Sequence, residues 1–491
     1  MKTIWGICAL NHDASISVLQ DDILVFAGHS ERYSRLKNDP HLNVELIEAA
    51  GTYGLPDEIV WYEKPYSKKL RQAYAGQWSE VFTQTPKSYL ASLGLDGIPI
   101  TYIPHHLSHA AAGYFTSGYN EAAVVVVDAI GEWDTISVWH GQGNELKKIW
   151  SAEYPNSLGM LYSAFTQRIG LKPNEEEYIM MGMAAYGKPA SFYNEIQRTF
   201  IEPKSAPEFI LKEDVHRGIL NWRPDLKTQT DYMNIAASIQ AVTQDYMKSL
   251  VRWVRSKIDS KNLVLMGGVA LNCVSNEKVM RMRLYDNVWI MPNPGDAGSS
   301  LGCVLAYEKM HIEWPGPYLG TNIDRPFDVN EIVDAIISDK IIGIAHGRAE
   351  FGPRSLGNRS LIADPRGDDI KAKVNDIKKR QRFRPFAPIV LAEHAKRYFD
   401  MPAASSPYMQ FTSRCLRPDL FPAICHVDDT SRVQTLTQEQ NPQIHAVLGE
   451  FYRRTGCPIL LNTSLNIKGE PLVDNWQDAI AFSKTYNVKM F

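Results

Sequence analysis

The sequence predicts an α/β protein of two domains, the first of them built from two copies of one plan. Three observations predict it. At 491 residues the chain is too long for a single core. A unit of strand, polar loop, strand, turn and strand occurs twice, over residues 4–27 and 122–151. A stretch shaped by Pro315, Pro317 and Pro326, residues 311–326, then reads as a linker to a part of different composition. The expected domains are 1–315 and 327–491.

Bulk composition narrows the class. Hydrophobic content of 44% and charged content of 22% are those of an ordinary globular protein. A net charge of −3 supplies no global attraction to nucleic acid or to an anionic membrane. The 6 cysteines are scattered without a CxxC pair, which argues against a disulfide framework and a cysteine zinc site. The N-terminal residues run straight into strand-like sequence, with no apolar signal-peptide core. No apolar run reaches the roughly 18 residues of a membrane span. The expected address is the cytoplasm.

In chain order, residues 4–8 and 16–19 read as strands, and Asp21-Asp22 turns into a third at 23–27. Between the first two lies the polar loop Asn11-His12-Asp13-Ala14-Ser15. Pro104-His105-His106-Leu107-Ser108-His109 reads as a helix start, with Pro104 at the first helical position. His105 and His109 then share one face and can hold one metal ion. No Glu follows the first His, so the metalloprotease pattern fails; satisfied histidines at a helix start are the other reading. The apolar run at 122–127 ends in Asp128, a carboxylate at a strand end that can complete such a site. Polar loop 128–134 and strands at 135–140 and 146–151 follow. ATPases of the actin and sugar-kinase superfamily are built on this repeated plan.

Residues 175–186 have helical Met and Ala spacing, closed by Gly187 as a C-cap, and read as core. Residues 190–230 are irregular, and 231–258 carry a long amphipathic helical period. The strand at 262–266 meets Gly267-Gly268 and a helix-like Val269-Ala270-Leu271-Asn272, a turn that lets backbone N–H groups approach a phosphate. A strand at 287–291 leads to Gly295-Asp296-Ala297-Gly298, where Asp296 is a second strand-end carboxylate or simply an N-cap.

Residues 348–384 hold eleven Lys or Arg against five Asp or Glu. Arginines here sit among Phe, Gly and Pro, as in Phe351-Gly352-Pro353-Arg354, which suits planar recognition of an anion better than a solvated face. A strand at 459–461 leads into Asn462-Thr463-Ser464-Leu465-Asn466, short side chains able to bind an oxyanion, and Arg432 can join them. Ser464 lies in no G-x-S-x-G elbow, which excludes the triad hydrolases.

Taken together, these motifs resemble the NodU/CmcH family of O-carbamoyltransferases over nearly the whole chain. They are Asn11 to Ser15, Glu31-Arg32-Tyr33-Ser34-Arg35, His105 to His109, Gly267 to Asn272, Gly295 to Gly298, Glu350 to Ser360, Phe383 to Pro388 and Leu461 to Asn466. The resemblance implies a duplicated actin-like ATPase (ASKHA) N-terminal domain and a C-terminal α/β YrdC-like domain. It implies that carbamoyl phosphate and ATP give carbamoyl-adenylate, whose carbamoyl group passes to a hydroxyl of a small acceptor such as a sugar or nucleoside.

By position, the resemblance implies metal ligands at His105, His109, Asp128 and Asp296, for Fe(II) with Mn or Zn also suiting. It implies nucleotide contacts at Gly267, Gly268, Asn272 and Gly298, with Mg accompanying ATP. A carbamoyl phosphate pocket falls on Arg354, Lys378, Arg384, Arg432, Asn462 and Ser464, and His12 stands beside the acceptor hydroxyl. Asp429, Ala129 and Glu176 replace glycines usual in the family. The alternatives are carbamoylation of a nucleic acid, which the charge disfavours, and a nucleotide-binding regulator without transfer, which the intact motifs disfavour. The expected partners are small molecules, with no membrane, and a homodimer is allowed.

Overall fold

The structure, a computed structural model, describes residues 2–367 and 369–491. Met1 and Asp368, at which the expected domain ranges start or pass, lie outside the described residues. The chain divides into two compact units: Met1–Phe26 with Pro40–Trp314, and Ala27–Asp39 with Pro315–Phe491.

The first unit carries two five-stranded sheets of one topology. β1 (Thr3–Cys8), β2 (Ser15–Gln20), β3 (Ile23–His29), β4 (Glu58–Trp61) and β5 (Ile100–Tyr102) lie in the order β3-β2-β1-β4-β5. β6 (Glu121–Val127), β7 (Asp134–Gln142), β8 (Glu145–Glu153), β9 (Asn262–Met266) and β10 (Asn287–Trp289) lie in the order β10-β9-β6-β7-β8. In each sheet the first strand is central, antiparallel to the second and parallel to the fourth. That is the duplication expected of the first domain, and it places the β1–β2 and β6–β7 loops at equivalent strand ends. β6 is central because Val124 to Val127 are buried without alternation, as a strand covered on both faces requires. The short strands β4 and β5 lay outside the sequence reading.

The helix His105–Thr116 is buried along its length except at Leu107, as its small and apolar residues on every side demand. Pro104 is its N-cap rather than its first residue. The long period resolves as a helix over Gln229–Lys257, opened by a capping box between Thr228 and Asp231. Between Pro189 and Thr228 lie a short 3-10 turn, Pro189–Ser191, and one α-helix, Tyr193–Phe200. Gly187 is extended rather than left-handed; a side chain there would meet the Met233 carbonyl at 2.0 Å, so close approach and not capping requires glycine.

In the second unit a six-stranded mixed sheet runs Gln434–Leu436, Ala387–Leu391, Ile459–Ser464, Arg359–Ala363, Ile341–Ala345 and Lys489–Met490. It is the α/β class expected. Helices Val329–Asp339 and Pro442–Thr455 contribute Ile332, Ile336, Val447 and Phe451 to its core. Residues 311–326 are not plain linker: Tyr318–Ile323 forms a strand with Gly347–Glu350. Among the described residues no helix is long and apolar enough to cross a membrane.

Candidate active site

His105 and His109 stand on adjacent turns of one helix, and their Nε2 atoms are 3.0 Å apart. Asp128, just beyond β6, brings Oδ2 to 3.3 Å from His105 Nε2 and 3.7 Å from His109 Nε2. Asp296 opens the short turn Asp296–Gly298, so it is no helix N-cap, and brings Oδ1 to 3.5 and 3.3 Å from the same two atoms. One ligand atom from each of the four lies within 4.8 Å of the others, and all four residues are buried. His106 points elsewhere, onto Ser137 Oγ at 2.8 Å.

Each carboxylate divides its oxygens. Asp128 Oδ1 accepts the Gly268 N–H at 2.9 Å, and Asp296 Oδ2 accepts from Asn11 Nδ2 at 3.2 Å and lies 3.5 Å from His12 Nε2. The cluster is thereby joined on one side to the glycine turn and on the other to the β1–β2 loop. Gly267 has φ +87 and packs so closely on β6 that a side chain would meet the Val127 carbonyl at 2.3 Å, which only glycine permits. His12 completes the loop with Nδ1 3.0 Å from Asp13 Oδ2, and its side chain is 40% exposed.

Charge in this region is balanced by protons. Burial acts to discharge His105 and His109, but Asp128 and Asp296 outweigh it and hold both above the ordinary histidine range. Against the opposing effect of burial, the imidazoles hold Asp128 and Asp296 below the usual carboxylate range. For His12 desolvation likewise opposes the charge, and Asp296 with Asp13 raises it to about 10. Two carboxylates holding protons on two facing imidazoles form a field that a divalent cation can take over by displacing those protons. Two nitrogen and two oxygen donors suit Fe, Mn or Zn. The residues therefore fit the metal.

Glu132 was not singled out from the sequence. Its Oε1 accepts the N–H groups of Lys64 at 2.6 Å and His105 at 3.1 Å. It supplies the N-terminal cap that Pro104 cannot, worth about 1 kcal/mol for an ordinary cap, and so fixes the first turn that carries His105. No periodicity in the sequence links 132 to 64 and 105. Of the expected nucleotide residues, Gly267 and Gly268 adjoin Asp128. The Asn272 amide is engaged locally, capping the Ser275 N–H at 2.9 Å and pairing with Gln240 at 3.0 Å. A side chain at Gly298 would meet the Asn293 carbonyl at 2.0 Å, so this glycine serves close packing.

In the second unit Lys378 is buried and donates to Ser464 Oγ at 2.9 Å, Asn466 Oδ1 at 2.8 Å, the Asn466 carbonyl at 2.9 Å and the Ser464 carbonyl. Burial, with Arg380 and Arg384 nearby, holds it well below the usual lysine range. Asn462 and Ser464 lie within the strand Ile459–Ser464 rather than after it. Asn462 Nδ2 donates to Gln434 Oε1 at 2.7 Å and to the Ser355 carbonyl at 3.3 Å, and its buried Oδ1 has no partner. Asn462 thus gathers the segments that carry Arg354 and, through Gln434, Arg432. Arg354, Arg384 and Arg432 are half-buried. Gln434 was missed because glutamine in a short strand carries no motif. Of the three residues replacing glycines, Asp429 is left-handed at φ +60, which Asp tolerates, and Glu176 at φ −111 needs no glycine.

The first unit thus has a duplicated sheet plan with a buried four-donor cluster at its paired loops, and the second is an α/β unit with a buried lysine. Residues 62–305 match the sequence family described as carbamoyltransferase N-terminus, and residues 333–491 that described as carbamoyltransferase C-terminus. An uncharacterized protein of Synechocystis is 34% identical over 98% of this chain and 94% of its own length. Nodulation protein NolNO of Sinorhizobium fredii is 30% identical over 96% and 76%, respectively. The 3'-hydroxymethylcephem-O-carbamoyltransferase of Amycolatopsis lactamdurans is 24% identical over 97% and 95%. Among solved structures, full-length HypF in its phosphate- and nucleotide-bound form covers 63% of this chain and 46% of its own at 13% identity, with a TM-score of 0.36. The chain belongs to the carbamoyltransferase family, and it is an enzyme of that class.

Proposed function

We propose that the protein is an ATP-dependent O-carbamoyltransferase for a small hydroxylated acceptor. The observation that carries the reading is the divided carboxylates: one arrangement joins a cation site, a glycine turn suited to phosphate and a partly exposed histidine. In the second unit Lys378, Arg354, Arg384, Arg432, Asn462 and Ser464 bind carbamoyl phosphate. There carbamoyl phosphate, ATP and one water give carbamoyl-adenylate, inorganic phosphate and pyrophosphate. In the first unit the acceptor oxygen attacks the carbamoyl carbon, the bond to the AMP oxygen breaks, and His12 takes the hydroxyl proton.

His105, His109, Asp128 and Asp296 would hold Fe(II), Mn or Zn. Such an ion would supply positive charge beside the nucleotide phosphate, and Mg accompanies the ATP. The carboxylate charge that keeps His12 protonated would then be engaged, which leaves His12 free to act as a base. Gly267 and Gly268 offer backbone N–H groups to the nucleotide, while Asn272 and Gly298 shape the surrounding turns. His12 is fixed by Asp13 on one ring nitrogen and faces Asp296 with the other. Six buried free cysteines suit the reducing cytoplasm. A homodimer is compatible with the reaction, which needs only one chain.

The test is mass spectrometry of sugars, nucleosides and related alcohols incubated with the protein, ATP and carbamoyl phosphate. A product bearing one added carbamoyl ester, dependent on both co-substrates, is expected. Carbamoylation of nucleic acid alone, or of nothing while ATP is bound, would contradict the reading.

A further inference from the structure

The segment Ala27–Asp39 belongs to the second unit although it lies near the start of the chain, and the reaction above gives its motif Glu31-Arg32-Tyr33-Ser34-Arg35 no task. Arg32 is 3% exposed. Its Nη2 donates to the Gly352 carbonyl at 2.9 Å, and its Nε lies 3.7 Å from Glu31 Oε1. Neither Nε nor Nη1 has a hydrogen-bond partner. Glu31 is itself held by Lys37 Nζ at 2.9 Å and the Asn38 N–H at 3.0 Å. Burying a guanidinium with two nitrogens lacking hydrogen bonds is unfavourable, so packing alone does not account for an arginine here.

What Arg32 touches is the loop that carries Arg354. Downstream of Arg354 the loop is held by the C-terminal part of the chain. The Leu356 and Asn358 N–H groups donate to Glu350 Oε1 at 2.7 and 3.0 Å. The Ser355 and Leu356 carbonyls accept from Asn462 and Gln434 at 3.3 and 3.0 Å. Upstream, Pro353 has no N–H to offer, and the carbonyl of Gly352, two residues before Arg354, is held by Arg32. His29 packs beside Phe351 with ring centroids 5.1 Å apart. The loop is therefore held downstream by Glu350, Asn462 and Gln434, and upstream by the Phe351 N–H on the Pro317 carbonyl at 2.7 Å and by Arg32 on the Gly352 carbonyl, the hold nearest Arg354 on that side.

We propose that Arg32 is a positioning residue for Arg354, fixing the Gly352 end of the loop so that the Arg354 guanidinium meets the phosphoryl group of carbamoyl phosphate in a set geometry. The inference rests on the anion-binding reading of that loop. Fork-to-oxyanion recognition is directional, and a small misplacement of a binding group is felt strongly. Lysine cannot replace the hold, because it lacks the planar fork that reaches the carbonyl while lying along Glu31.

Carbamoyl-phosphate-dependent exchange of labelled pyrophosphate into ATP tests this without knowledge of the acceptor. Arg32→Lys is expected to raise the KM for carbamoyl phosphate about tenfold, the size of one lost hydrogen bond, with kcat and the KM for ATP unchanged. Arg354→Lys raises the same KM, and the double variant is no worse than Arg354→Lys alone, since residues acting as a unit are not additive. Arg35→Lys is the control. Arg35 holds the carbonyls of Pro471 and Leu472 and none in residues 351–358, and its loss leaves this KM unchanged. An unchanged KM in Arg32→Lys, additive effects in the double variant, or an equal rise in Arg35→Lys would overturn the proposal. Should the unsubstituted protein show no exchange, the proposed function fails instead. Calorimetric binding of inorganic phosphate then reads the same contrast, weakened by Arg32→Lys and Arg354→Lys but not by Arg35→Lys. Should Arg32→Lys not fold, Arg32→Gln carries the same expectation.

Discussion

The two units bury charge in opposite ways. In the first, carboxylates outnumber fixed cations at the cluster, so Asp128 and Asp296 hold His105 and His109 above their ordinary range. In the second, burial and neighbouring arginines push Lys378 below its own. A site that favours protons on histidines is short of a cation, and a site that disfavours the charge of a lysine is short of an anion. The proposed function gives metal and transfer chemistry to the first unit and capture of the phosphorylated donor to the second, in keeping with this contrast.

The largest expected break in that contrast is at His12. His12→Asn lowers transfer to the acceptor by about 10²–10⁴-fold, the range of a lost general base, and leaves pyrophosphate exchange intact. Measuring exchange and carbamoylated product side by side checks it; loss of both together would move His12 out of the transfer step. Asp296→Asn is next. It removes one of the four proposed metal ligands, so bound metal, read by elemental analysis after dialysis, should fall by more than the 10–100-fold typical of an outer-shell partner, and turnover with it.

On the anion side, Arg384→Ala should raise the KM for carbamoyl phosphate roughly 10- to 150-fold, the equivalent of one charge-assisted contact, with the acceptor KM unchanged. An equal rise in both would make Arg384 structural. The smallest effect is in protons. Between its lowered value and the ordinary 10.5, Lys378 is neutral in the folded protein and charged in the unfolded one. Stability therefore rises with pH across that window as far as this group is concerned. A bound dianion restores the charge, so phosphate binding at alkaline pH takes up a proton. Calorimetry in two buffers of different ionisation heat should show it, and identical heats would deny it.

Much of this chemistry could be read before the fold was known, for physical reasons. His105 and His109 are spaced by one helical turn, and Asp128 and Asp296 end apolar runs, so local pattern already places ligand types together. The strands β1 to β3 and β6 to β9 declared themselves by alternation or apolar runs. What stayed hidden depends on distant partners. β4 and β5 are four and three residues long, too short to show a period. Glu132 caps a helix 27 residues upstream. The second unit recruits Ala27–Asp39, which composition, charge and turn signals in that segment do not announce. Asn462 and Ser464 read as a loop because polar residues at a strand end look like one.

The central claim, that donor activation belongs to this chain and precedes transfer, is tested most directly by pyrophosphate exchange with no acceptor present. With ATP, carbamoyl phosphate and the metal-loaded protein, labelled pyrophosphate should enter ATP, and omission of carbamoyl phosphate should abolish it. Exchange that proceeds equally without carbamoyl phosphate, or none with every component present, would contradict the account.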